Sequence, residues 1–189
     1  MVYNYSMIAI FGAPGSGKTR QAQLFAQKYG WEVATSRSLF IAMRDKDISL
    51  ALSHGIQVAD DKSIEVMAEI FHQYDAYNNW DVVLDGFPSS VAQIYWMREN
   101  DYLKHLDGAI ILRVPRGELW VRMMKRGRAD DTRAAIERRQ DLYDRSITGM
   151  IHVLRENGIR VEEINGCNAP EDVLERMEEK LMEWRVLTR

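Results

Sequence analysis

Five short apolar runs recur along the chain, separated by stretches with helical spacing. They fall at residues 7–11, 32–35, 81–84, 109–114 and 159–164. Short runs of this kind, most continuous at residues 7–11 and 109–112, predict strands of a buried sheet. Their alternation with helices predicts right-handed crossovers and a parallel sheet. The expected fold class is therefore α/β, a three-layer α/β/α arrangement around a five-stranded parallel sheet. Ligands on such sheets bind beyond the carboxyl ends of the strands.

The helical stretches carry their own detail. Residues 20–28 favour a helix that stops before Gly30. Ile136, Arg139, Tyr143, Ile147, Met150, Ile151 and Leu154 recur at helical steps and predict one long helix with a shared face. Arg139 is out of place on that mostly apolar face; a buried phosphate or an unseen carboxylate would account for it. A last helix is expected over residues 170–186, with Val173, Leu174, Met177, Leu181 and Trp184 as its core stripe. Two segments interrupt the alternation. Residues 35–64 read as a small helical insert, broken near Arg44-Asp45-Lys46-Asp47 and His54-Gly55. Residues 126–132 form a short polar connection, where Asp131 is placed to cap the next helix.

Composition narrows the class. A chain of 189 residues with 46% hydrophobic content suits one globular domain, residues 1–189. A net charge of −3 argues against broad attraction to nucleic acid or membrane. The lone Cys167 excludes an internal disulfide framework and fits a reducing cytoplasm. No basic leader, spanning segment or metal-type histidine spacing is evident, and a monomer is expected.

The chemistry begins at Gly12-Ala13-Pro14-Gly15-Ser16-Gly17-Lys18-Thr19, which fits the phosphate-loop pattern G-x-x-x-x-G-K-[ST]. Its glycines let backbone N–H groups approach phosphate oxygens, and the following helix points its positive end at them. Lys18 can reach the β/γ-phosphates, and the Thr19 hydroxyl can sit on Mg²⁺. Val82-Val83-Leu84-Asp85-Gly86 ends a strand in an aspartate, the type that holds Mg²⁺ through water beside such loops. Between Arg113 and Arg139 lie nine cations and only four acids (Glu118, Asp130, Asp131, Glu137). Beside a phosphate loop, that segment is a candidate polyphosphate clamp.

Taken together, these motifs resemble the adenylate kinase family of nucleoside monophosphate kinases. The resemblance rests on Gly12–Thr19, on Asp85-Gly86-Phe87-Pro88 followed by Gln93, on Arg122 to Arg128, on Asp130-Asp131, and on Arg139 with Tyr143. His54-Gly55-Ile56-Gln57-Val58 is similar to the family's monophosphate-pocket segment. The resemblance implies transfer of the γ-phosphoryl group of Mg-ATP to a nucleoside monophosphate, with residues 35–64 as the acceptor insert and 126–132 as a very short lid. It implies catalytic roles for Lys18, Asp85, Arg122, Arg128 and Arg139, with Arg122 and Arg126 on the donor phosphates. Thr35, Val58, Gly86, Phe87 and Gln93 would bind the acceptor, Gln93 as reader of a base edge. Arg128 and Arg139 would bridge donor and acceptor phosphates.

Two departures fall on the acceptor side alone. Where the family reads Ser-Thr-Gly-Asp-x-x-Arg, this chain reads Ala34-Thr35-Ser36-Arg37-Ser38-Leu39-Phe40; where the family has Gly-Phe-Pro-Arg, it has Gly86-Phe87-Pro88-Ser89. Both acceptor-phosphate arginines are thus missing, at Phe40 and Ser89. Three explanations remain open: Arg37 or Arg44 replaces the charge, the acceptor is a different small molecule, or the chain binds nucleotide without transfer.

Overall fold

The computed structural model describes residues 6–35, 40, 48, 50–51, 54, 56, 58–77, 80–128 and 131–187. Arg37 and Arg44, the proposed replacement cations, lie outside them, as do most of the expected insert and Asp130.

Five strands form one sheet: β1 (Met7–Gly12), β2 (Glu32–Thr35), β3 (Val82–Asp85), β4 (Leu106–Arg113) and β5 (Arg160–Asn165). All pairings are parallel, in the order β2-β3-β1-β4-β5. Six α-helices accompany them among the described residues: α1 (Lys18–Tyr29), α2 (Asp60–Tyr77), α3 (Val91–Glu99), α4 (Arg116–Arg126), α5 (Arg133–Glu156) and α6 (Pro170–Glu183).

Alternation along β1 divides the core. Met7, Ala9 and Phe11 face one layer, built with Met67 and Phe71 of α2, Ile94 and Met97 of α3, and Ile147, Met150 and Leu154 of α5. Ile8 and Ile10 face the other, built with Ala22 and Phe25 of α1 and Val173, Met177 and Leu181 of α6. Neighbouring side chains on a strand point to opposite faces, so a run apolar at every position is covered on both sides. The expected three-layer α/β/α fold is what forms.

The departures from sequence expectation are local. Strand β4 opens at Leu106, three residues before the expected start. Its early part includes Gly108, where a Cβ would lie 2.3 Å from the Trp184 ring, so the glycine lets that indole rest on the sheet. The last helix stops at Glu183, with Trp184 as its C-cap, rather than continuing to 186. Helix α2 begins at Asp60, inside the range expected for the insert.

Candidate active site

The phosphate loop leaves the carboxyl end of β1 in the middle of the sheet. A Cβ on Gly12 would meet Ser16 Oγ at 2.3 Å, so only a bare backbone lets the loop fold back there. Gly15 has φ +90°, and a Cβ on it would lie 2.9 Å from Met123 Cγ and 3.2 Å from the Leu119 carbonyl. The loop is therefore moulded against α4. Gly17 is the N-cap of α1 and supplies no side-chain cap, so the first-turn N–H groups have no side chain of their own cap residue to bond. Ser16 Oγ is buried without a hydrogen-bond partner. Unpaired donors around a bare loop are what phosphate oxygens satisfy.

Asp85 is the last residue of β3, buried at the switch point beside β1. Thr19 Oγ1 donates to its Oδ2 at 2.6 Å, and its Oδ1 is buried with no partner. A hydroxyl and a carboxylate side by side are hard oxygen donors of the sort Mg²⁺ takes alongside water and phosphate. Among the described residues no group of three or more His, Cys, Asp or Glu could enclose a metal ion. Thr19 and Asp85 fit an ion that keeps most of its shell in water and substrate.

Four cations converge on this loop. Removal from water pulls the Lys18 ammonium below the usual lysine value; Asp85 opposes that, and the charges of Arg126, Arg128 and Arg139 add to it. Bound phosphate would offset the part that the arginine charges contribute. Arg122 donates to Glu118 Oε1 at 2.8 Å and to the Gly166 carbonyl at 2.9 Å. A Cβ on Gly166 would lie 3.4 Å from the Ser16 carbonyl, so Arg122 stands beside the loop.

Asp131 does not cap α5. Thr132 does, its side chain accepting from the Ala135 N–H. The Asp131 carboxylate, 1% exposed, instead accepts from Arg126 Nε and Nη2 at 2.9 and 2.6 Å and from Arg139 Nη2 at 3.0 Å. The unseen carboxylate that would explain Arg139 on an apolar face is thus Asp131. Burial works to raise the pKa of that carboxyl, but Arg126, the Arg128 N–H and Arg139 hold it below the ordinary aspartate value.

A cleft of about 250 Å³ opens between the loop and the acceptor side. Gly12, Pro14 and Lys18 line one wall; Phe40, Ile56, Val58, Gly86 and Ser89 line another; Arg139, Leu142, Tyr143, Ile147 and Met150 of α5 close it. Of the expected acceptor residues, Phe40, Val58, Gly86, Ser89 and Arg139 are brought together there. Thr35 (at the end of β2), Phe87 (fully buried), Gln93 and Arg128 are not among its lining. Gln93 is fully buried, and its amide is taken up by Ser89 and Asp60. Asp60 and Ser63 were not among the residues expected from the sequence, although the adjacent acids Asp60 and Asp61, which open α2, were visible as a helix-start signal.

The comparisons with known proteins agree with this geometry. A family model described as an AAA domain matches residues 11–137. A protein of Azobacteroides pseudotrichonymphae named adenylate kinase is 31% identical over 188 residues, covering 92% of this chain and 96% of that one. Proteins of the same name from Bacteroides thetaiotaomicron and Leifsonia xyli are 29% and 31% identical, covering 88% and 94% of this chain and 93% and 94% of their own. Fold and site together define a phosphate-loop nucleotide kinase. Within that class, the chain belongs to the adenylate kinase family.

Proposed function

We propose that the chain transfers the γ-phosphoryl group of Mg-ATP to a nucleoside monophosphate. One observation carries the proposal: Lys18 and Arg139 line the same cleft as Phe40, Val58 and Gly86, so a donor on the loop and an acceptor in the cleft meet at shared cations. In the transfer, the bond from the γ-phosphorus to its bridging oxygen breaks as an acceptor oxygen bonds to phosphorus. Charge spreads over the equatorial oxygens, and the protein's work is positioning and neutralisation. Lys18 follows the γ-group; Arg122 and Arg126 hold donor phosphates; Arg128 and Arg139 span donor and acceptor. Mg²⁺, held by Thr19 and through water by Asp85, would neutralise the β/γ oxygens.

The exposed single thiol of Cys167 suits a reducing cytoplasm, and we place a monomeric enzyme there. No helix among the described residues is long and apolar enough to cross a membrane. Phe40, 4% exposed on the cleft wall, favours a second reading in which the acceptor is another small molecule.

The test is ATP with a panel of ribo- and deoxyribonucleoside monophosphates, products read by mass. A phosphorylated product is expected from at least one. Lys18→Ala should reduce transfer by about 10²–10³-fold, the range for losing one charge-stabilising donor, with unchanged circular dichroism. No product from any monophosphate overturns the proposal, and a product from a different acceptor establishes the second reading.

A further inference from the structure

Arg138 and Arg139 stand side by side in α5 and take different partners. Arg139 turns to the buried Asp131. Arg138, exposed on the helix, donates from Nη1 to the carbonyl of His54 at 2.8 Å, across 84 residues of chain. Leu142, one turn beyond Arg138 on the same face, lines the cleft, as does Arg139. Ile56 and Val58, just past His54, line the facing wall. The Arg138 side chain therefore crosses the rim of the cleft from one wall to the other.

The carbonyl it meets is of a kind that suits a cation. Leu50 and Ala51 are helical, and the chain turns out of that segment at His54. The His54 N–H donates to the Leu50 carbonyl at 3.1 Å, and the Ile56 N–H to the Ala51 carbonyl at 2.8 Å. Carbonyls at such a helical end find no partner further along their own helix and lie at the negative end of its dipole. An arginine satisfies one of them and is attracted by that dipole. The same wall has its apolar support elsewhere. Phe40, Ile48 and Val58 pack with Val66 of α2 in a cluster apart from the two main cores. Arg138 adds a polar tie to α5 on the other side of the cleft.

We propose that Arg138 straps the wall bearing His54, Ile56 and Val58 to α5, and so sets how firmly the cleft retains an acceptor. Arg138 is not among the cleft lining, so it is a positioning residue. The proposal rests on the reading of this cleft as the acceptor site. A donor on the phosphate loop lies against Gly12, Pro14 and Lys18, on a wall that the strap does not hold. Apparent affinity falls with the fraction of molecules in the binding-competent state. Loss of the strap therefore weakens the acceptor and spares the donor.

Arg138→Met keeps the aliphatic stem and removes every donor; Arg138→Lys keeps a charged donor. The position is exposed, so both variants should fold, as circular dichroism can check. AMP, GMP, CMP and UMP are titrated into the full chain and each variant, with Mg-ATP in parallel. Arg138→Met should weaken the tightest-binding monophosphate by about three- to tenfold, the scale of one intramolecular hydrogen bond. Mg-ATP affinity should stay unchanged, and Arg138→Lys should fall between Arg138→Met and the unaltered chain. Hydrogen exchange at the His54 and Ile56 amides of the free protein should quicken in Arg138→Met by a similar factor. Equal losses for Mg-ATP and monophosphate would mark a general disturbance and overturn the strap, as would unchanged exchange. A monophosphate that binds Arg138→Met as tightly as the unaltered chain overturns the strap and leaves the acceptor-site reading standing. If none of the four binds the unaltered chain, that reading falls and the proposal with it.

Discussion

Asp131 holds two arginines that the proposed transfer would use elsewhere. Arg126 and Arg139 share its buried carboxylate, and phosphate arriving on the loop has to compete with it. Asp131→Ala should lower stability by about 1.5–3 kcal/mol, the scale of charge-assisted hydrogen bonds, read as a drop in the urea midpoint. The pH dependence follows from the lowered carboxyl. Its contribution is full above about 3.9, the unfolded aspartate value, and is lost as pH falls through the lower folded value. The difference between variant and unaltered chain should therefore vanish in acid; a difference that persists there would place the cause in packing. This residue also marks where the sequence became illegible. An aspartate just ahead of a helix looks like a cap, and only the folded chain shows Thr132 one position later taking that role. Arg139 was legible as misplaced on an apolar face, but its partner was not, since a side-chain contact eight residues back on a connection leaves no periodic trace.

Among the elements, the phosphate loop and α4 form one unit through Gly15. Gly15→Ala places a Cβ 3.2 Å from the Leu119 carbonyl at a backbone φ of +90°. The expected cost is about 1–3 kcal/mol of stability, with at least tenfold weaker ATP binding, read by urea unfolding and by nucleotide titration. Normal ATP affinity in the variant would separate loop shape from donor binding. The three central strands were legible almost to the residue, because burial on both faces makes them apolar, while the edge strands β2 and β5 carry exposed charged positions and were readable only from their place in the alternation. The exception is instructive. Asp107 and Gly108 weaken the strand pattern at the start of β4, and Gly108 is there because Trp184 lies on it. That reason lies 76 residues downstream, where no local pattern could show it. A set of hydrogen bonds through Asp60, Ser89, Ser90 and Gln93 was hidden in the same way, its members being ordinary cap and turn residues until α2 and α3 meet.

For the molecule as a whole, ligand and fold are linked. The loop's burial of Lys18 and the convergence of Arg126, Arg128 and Arg139 leave positive charge that polyphosphate would neutralise. At 100 times its dissociation constant, Mg-ATP should stabilise the chain by about 2.7 kcal/mol. In a chain of this length that raises the melting temperature by about 5–10 °C. At the same Mg-ATP concentration, Asp131→Ala should show a larger rise, since its arginines need not leave a carboxylate first. No rise in either protein would exclude the loop as a nucleotide site. The order β2-β3-β1-β4-β5 was not readable from the chain, because an apolar run does not name its neighbour. It nevertheless decides where the site lies, by bringing Asp85 beside the loop.

The six residues from 127 to 132 between α4 and α5 carry a consequence for time. Their Asp131 holds Arg126 of α4 and Arg139 of α5 at once, so one carboxylate ties the two helices together. Letting go of that carboxylate is a turn of side chains, a faster class of motion than a domain hinge, which takes microseconds to milliseconds. If the chain transfers phosphate as proposed, a slow turnover would accordingly not be set by these two side chains leaving Asp131.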